Sequence, residues 1–242
     1  MPNELLWLIL VLIDFFSLIL IFRLFGKNGL YVAITISIIL CNIQVLKIVD
    51  MFGMVVTLGN VLYGSIFLAT DILNELYGKK EAQKGVWIGF YALIFTTLIM
   101  QVALQFKPAA DDFIDPALQQ IFGFLPRIAL ASVIAYAISQ TFDVWLFSRI
   151  KIRTGGRKLW FRNNASTMVS QMIDTLTFCT IAFYGVFPLS TFIEIALTTY
   201  IFKWFVAVVD TPFIYWARKI AGADMETKIQ PIRLGSRNLA GN

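Results

Sequence analysis

Residues 85–106 read GVWIGFYALIFTTLIMQVALQF, a stretch without a single charged side chain. As a helix rising about 1.5 Å per residue, it reaches roughly 30 Å, the thickness of the hydrocarbon core of a bilayer. Lipid offers no partner for backbone N–H and C=O groups, so a run of this length is stable there only when helical. Comparable runs lie on either side, at about 4–25, 29–49, 54–73, 122–148, 165–187 and 189–216. The expectation is an all-α transmembrane bundle of seven helices, six in a core over 29–220 and one added at the N-terminus. Of the 242 residues, 58% are hydrophobic and 14% charged, and the mean hydropathy is +0.75. That is too apolar for a water-soluble domain of this size. The alternating ten-residue segments of a membrane β-barrel do not occur. The first run carries Asp14 in its middle and lacks a positive start, so it reads as a retained helix and not a signal peptide. One transmembrane domain is expected over 1–220, followed by a polar cytoplasmic tail over 221–242.

Loop charges orient the bundle. Arg23 and Lys27 flank the first connection, Lys79, Lys80 and Lys84 the third, and Arg149, Lys151, Arg153, Arg157, Lys158 and Arg162 the fifth; the tail adds Arg218, Lys219, Lys228, Arg233 and Arg237. The other side holds Glu4, then Lys47 with Asp50, then Lys107 against Asp111, Asp112 and Asp115. Seven spans put every strongly basic segment on one side, which places the N-terminus outside and the C-terminus in the cytoplasm. The net charge of +5 thus describes membrane orientation, and no nucleic-acid partner is read from it.

The chain has no histidine, so Ser-His-Asp chemistry and imidazole ligands are excluded, and no GxxxxGK[ST] loop is present for ATP hydrolysis. Cys41 and Cys179 each lie inside an apolar run and read as small buried hydrophobes. No metal or cofactor is implied. A membrane-embedded acid-base enzyme using Asp71, Asp143 and Asp174 is the weaker reading, because nothing marks a substrate-binding domain.

Ionisable groups at membrane depth cost several kcal/mol each on insertion scales, about 2.5–3.5, so they pair, face a wet cavity or snorkel. Asp14, Asp174 and Lys203 fall near the midplane, Asp71 and Asp143 in the inner half, and Asn42, Lys47, Arg127 and Glu194 in the outer half. Helical spacing gathers these groups into stripes: Asn60, Tyr63, Phe67, Asp71 and Asn74; Ser132, Tyr136, Gln140 and Asp143; Ser166, Ser170, Asp174 and Thr177. A polar interior between helices follows, either hydrogen-bonded glue or a substrate path. Lys203 shares a face with Asp210 and pairs with either Asp210 or Asp174. Glu194, nine positions earlier, looks the other way, and Pro212 is positioned to kink the last helix. Ser139, Gln140, Asp143 and Phe147 recur 31 positions later as Ser170, Gln171, Asp174 and Phe178, a faint inverted pairing. Gly85 and Gly89 form a small-xxx-small pair suited to close helix packing or to a homodimer contact.

Several blocks together resemble the queuosine precursor transporter family. They are Gly59, Asn60, Tyr63, Gly64, Phe67, Leu68, Ala69, Thr70, Asp71, Asn74, Glu75, Tyr77 and Gly78; Arg127, Ser132, Tyr136, Gln140, Asp143 and Phe147; Asn163 to Thr167 with Gln171, Asp174, Thr175 and Phe178; and Glu194, Tyr200, Phe202 and Lys203. The resemblance covers about residues 30–220. It implies an inner-membrane importer of 7-deazaguanines, namely 7-cyano-7-deazaguanine, 7-aminomethyl-7-deazaguanine or queuine, for salvage into transfer RNA. It also implies a fold similar in outline to the substrate-binding components of energy-coupling-factor transporters. A subunit that needs a separate ATPase motor is the alternative.

On that reading a deazaguanine presents adjacent N–H and amino donors to a carboxylate and a carbonyl to an amide or cation. The substrate-binding residues are then Glu194, which reads the donor edge, with Arg127, Asn42, Asn60 and Tyr63. Asp71, Asn74, Gln140, Asp143, Asp174 and Lys203 form a deeper gating or coupling network. Asp174 beside Lys203 is the candidate for proton exchange, and a facilitated carrier is equally compatible.

Overall fold

The structure, a computed structural model, describes residues 1–153, 159–209 and 212–222, except for the side chains of 143, 144, 147, 148, 151, 159–167, 207 and 208. It is an all-α bundle: α1 (Asn3–Gln44), a hairpin of β1 (Ile48–Met51) and β2 (Met54–Thr57), α2 (Asn60–Tyr77), α3 (Lys79–Ala103), α4 (Asp115–Phe122), α5 (Leu125–Arg153), α6 (Leu159–Phe183) and α7 (Leu189–Val209). A further helical segment covers 212–222. Four helices among the described residues are long and apolar enough to cross a membrane, in α1, in α3, over 115–142 and in α7.

The first two expected helices form the continuous element α1, which turns back on itself at Gly26. Its φ of 57° and ψ of −136° are open to glycine and strained for any side chain. In a straight helix Ile21 and Gly29 would lie about 12 Å apart along the axis. Here a Cβ on Gly29 would overlap the Ile21 carbonyl, so the two halves run side by side. A Cβ at Gly26 itself would meet nothing within 4 Å, and the cost of Gly26→Ala is therefore backbone strain alone. We expect Gly26→Ala to destabilise the protein by about 1–3 kcal/mol, read as a lower melting temperature in detergent.

The expected helices at 29–49 and 54–73 are corrected by the hairpin. Helix α1 stops at Gln44 and α2 starts at Asn60, and between them β1 and β2 pair antiparallel from Ile48 with Thr57 to Met51 with Met54. Ile48-Val49-Asp50-Met51 and Met54-Val55-Val56-Thr57 are rich in β-branched residues and flank Phe52-Gly53, both at positive φ. That is strand and tight-turn chemistry, which an apolar window cannot tell from a helix end. The hairpin packs inward, with Met51 and Val56 buried. Its Val55 carbonyl accepts from the Thr198 hydroxyl at 2.9 Å, and the tip meets the start of α1 through Asn3 Nδ2 to the Asp50 carbonyl (2.9 Å) and the Phe52 N–H to Glu4 (3.0 Å). The N-terminus and the hairpin therefore share one face of the bundle. On the opposite face Lys27 pairs with Glu81 at 3.0 Å, Tyr31 donates to Glu81, and Arg218 stands 3.4 Å from Glu75.

Apolar residues point both ways, as lipid requires. Phe15, Leu30, Ile34, Leu68, Ile72 and Leu93 are fully buried, while Ile13, Trp87, Tyr91, Leu98 and Phe205 face outward. Gly85 and Gly89 are occupied within the chain, because Ile34 and Ile38 of α1 press against them. Close intrachain packing thus accounts for the pair without a homodimer contact. The last expected helix, 189–216, is described as α7 and the 212–222 segment; residues 210 and 211, at the Pro212 junction, lie outside the described residues, as does the tail from 223 onward.

Candidate functional site

The α2 helix carries Tyr63 on its inward face, α5 carries Ser139, α6 carries Asp174 and α7 carries Lys203, and the four side chains meet at one level of the bundle. Lys203 Nζ stands 2.6 Å from Asp174 Oδ2, with each side chain only 7% exposed. The Tyr63 hydroxyl donates to the same oxygen at 3.0 Å, and the Ser139 hydroxyl donates to Oδ1 at 3.2 Å. Lys203 also lies over the Tyr63 ring, 4.4 Å from its centre, in a cation–π contact. Both carboxylate oxygens are thus satisfied and the ammonium has a counter-ion, the condition for burying two charges. Of the two partners offered for Lys203, the structure uses Asp174; Asp210 lies outside the described residues.

Above this pair, toward the hairpin, further polar groups are joined in twos and threes. Ser132 on α5 donates to Asn42 Oδ1 at 2.6 Å, and Asn42 Nδ2 reaches the Ile38 carbonyl at 2.7 Å. Asn60 Nδ2 bonds the Thr57 carbonyl at 3.2 Å and Thr199 Oγ1 at 3.4 Å, which ties the start of α2 to the hairpin and to α7. Arg127 sends Nε to the Ile181 carbonyl and an Nη to the Tyr184 carbonyl, both at 2.6 Å. It thereby caps the C-terminal end of α6, where unpaired carbonyls and the helix dipole favour a cation. Glu194 on α7 is half-buried, and its carboxylate has no side-chain partner among the described residues, although its carbonyl accepts from Thr198 at 2.8 Å.

The stripes read from the sequence divide in three dimensions. Asn60 and Tyr63 face the interior, whereas Asp71 and Asn74, farther along α2, are exposed. On α5 Gln140 is exposed, and its neighbour Ser139 reaches Asp174 in its place; the Asp143 side chain lies outside the described residues. Ser139 and Asp174 belong to the two halves of the faint 31-residue repeat, and they bond directly across α5 and α6. Gln171 and Thr175, within one turn of Asp174, bury Gln171 Oε1 and Thr175 Oγ1 without a partner. The sequence named Thr175 only within the family blocks, and Gln171 there and in the 31-residue repeat. The position of Gln171 at i−3 on the Asp174 face was the available signal, and Thr175, about 100° round the helix, had none.

Residues 57–217 match the family described as "Putative vitamin uptake transporter". A relative from Bacillus subtilis (strain 168), named "Probable queuosine precursor transporter", is 45% identical over 225 residues, 93% of this chain and 98% of its own. The chain belongs to the queuosine precursor transporter family. The "Queuosine precursor transporter" of Escherichia coli (strain K12) is 34% identical over 166 residues, 66% of this chain and 72% of its own. No solved structure matches the chain. The segment matched to the family starts at the end of the hairpin, so Tyr63, Asp174, Glu194 and Lys203 lie inside it and α1 before it.

Proposed function

We propose that this member of the family carries queuosine precursors, 7-deazaguanine bases, inward across the cytoplasmic membrane, with the basic face of the bundle in the cytoplasm. The observation that carries the site assignment is Glu194, a half-buried carboxylate without a side-chain partner among the described residues, in a bundle whose buried polar groups are mostly paired. Its two oxygens match the adjacent N–H and amino donors of a deazaguanine. Arg127 spends two N–H groups on the end of α6 and keeps others for a ligand carbonyl. Asn42, Asn60 and Tyr63 line the way from the hairpin to the Asp174–Lys203 pair, which closes the path below as a gate.

The test is ligand binding by the purified full chain in detergent, read as thermal stabilisation across 7-cyano-7-deazaguanine, 7-aminomethyl-7-deazaguanine, queuine, guanine and riboflavin. A 7-deazaguanine is expected to stabilise selectively. Glu194→Gln keeps the size of the side chain and replaces one acceptor by a donor, so affinity is expected to fall by about 10–100-fold, the worth of one charge-assisted hydrogen bond. Unchanged affinity in Glu194→Gln removes that residue from the site. Stabilisation by riboflavin in place of the deazaguanines overturns the substrate class.

A further inference from the structure

Among the described residues, the carboxylates of Asp14 and Asp174 both lie near the middle of the bundle, and their surroundings differ in kind. Asp174 has a cation at 2.6 Å and two hydroxyl donors. Asp14, in the first half of α1, accepts a hydrogen bond from Ser65 on α2, and no cation among the described residues stands at ion-pair distance from it. Eleven positions past Asn3, Asp14 sits about 16 Å along its helix, near the middle of a bilayer core of roughly 30 Å.

Its environment can be followed element by element. The second half of α1 contributes Cys41, a thiol within electrostatic reach of both Asp14 and Lys203. From α2 comes the Ser65 hydroxyl, which donates to Asp14. On α7 the charged group is Lys203, whose ammonium is committed to Asp174, and Val206 packs beside Gly64. From the 212–222 segment Phe213 lies edge-on to Phe15, with ring centres 5.1 Å apart. Asp210 lies outside the described residues. A metal cation would need several oxygen ligands, and Asp14 with one hydroxyl supplies too few. A proton needs one oxygen and turns the lone charge neutral.

We propose that Asp14 is the proton-binding site that couples substrate movement to a proton gradient, a role for which the sequence pointed to Asp174. This rests on the transport reading above. The Asp174–Lys203 pair is neutral as it stands, and adding a proton to it would strand the Lys203 charge in the membrane. At Asp14 the proton removes a charge that no cation among the described residues compensates. A proton entering from the hairpin side bonds to an Asp14 carboxylate oxygen and leaves from the same oxygen toward the cytoplasmic side, so the carboxylate is restored each cycle. Helix α2 links this site to the path: Ser65 is two residues after Tyr63, about 200° round the helix. One face of α2 therefore holds Asp14 while the other holds Asp174. Ionised Asp14 accepts from Ser65. Protonated Asp14 becomes a donor, which changes the bond between α1 and α2 and the seat of Tyr63 with it.

The experiment uses the full chain in liposomes with an imposed pH gradient and labelled 7-cyano-7-deazaguanine as the probe. For one proton per neutral substrate each cycle carries one positive charge, so with the membrane potential clamped at zero a gradient of one pH unit sustains about a tenfold accumulation ratio. Wild type is expected to reach it, Asp14→Glu to keep it, and Asp14→Asn to fill only to a ratio near unity. An Asp14→Asn protein that accumulates like wild type, or a wild type whose ratio ignores the gradient, overturns the proposal. A second measurement needs no substrate: infrared spectra across pH are expected to show a carboxylic-acid C=O band in wild type that is missing in Asp14→Asn. Identical spectra overturn the proposal, even where Asp14→Asn is too poorly inserted to transport. If wild-type liposomes admit no 7-deazaguanine at all, the transport reading falls and the infrared titration alone decides Asp14.

Discussion

Lys203→Met is expected to cost the fold about 3–5 kcal/mol and to stop transport. The substitution removes the counter-ion of Asp174 in a site where its side chain is 7% exposed, with only the Tyr63 and Ser139 hydroxyls to hold it. Two hydroxyl donors do not replace a counter-ion at 2.6 Å. Methionine fills most of the volume of the lysine stem, so the loss measures the stranded charge more than a cavity. Pairing Lys203→Met with Asp174→Asn removes both charges and keeps an acceptor for Tyr63. That double variant is expected to recover most of the stability, since a buried ion pair adds little net stabilisation over neutral groups of similar shape. Transport is expected to stay lost in it, because a gate that opens by separating opposite charges has none left. Melting temperatures in detergent and uptake in liposomes separate the two effects. A single Lys203→Met variant with wild-type stability would show that the pair is solvated in the inserted protein.

Gly64→Ala is expected to destabilise by about 1–3 kcal/mol, the range for overpacking a well-filled core. Its new Cβ would overlap Val206 Cγ1, and valine is stiff about χ1, so α2 and α7 have to move apart. These helices carry Tyr63 and Lys203, and the same shift loosens the cation–π contact at 4.4 Å. Val206→Ala in the same chain opens the space and is expected to restore the melting temperature. Gly89→Ala is the control. Its Cβ would meet Ile38 Cδ1, the free end of a flexible side chain that can swing aside, so the expected cost is smaller, below about 1 kcal/mol. Equal losses in the two variants would mean that α2 and α7 are not in contact at Gly64.

The candidate site was legible where one helix supplies both the residue and its surroundings. Charges at membrane depth are few, and each must pair, face water or snorkel, which singled out Asp174 and Lys203 before any contact was known. Periodicity then ordered the stripes but not their depth or the neighbour each half meets. Helix α2 shows why: Tyr63 and Asp71 share a helical face, yet the first touches Asp174 and the second is exposed. The choice of Ser139 over Gln140 on α5 turns on about 100° of helix rotation, which apolar residues on every side of a membrane helix leave undefined.

From the residues alone came the membrane class, the helical secondary structure, the clustering of basic loops, the family, and the requirement that charges at membrane depth pair, face water or snorkel. Each follows from local chemistry: run length against bilayer thickness, and the cost of an unpaired charge in lipid. Tertiary structure decided that residues 48–57 fold as an inward hairpin, that Gly26 reverses α1, and that Lys203 takes Asp174. It also decided that, among the described residues, Asp14 is left with a hydrogen bond from Ser65 and no cation at ion-pair distance. These depend on which helices become neighbours, and in lipid that is settled by close packing and polar contacts between distant segments, to which the apolarity of any one segment is blind.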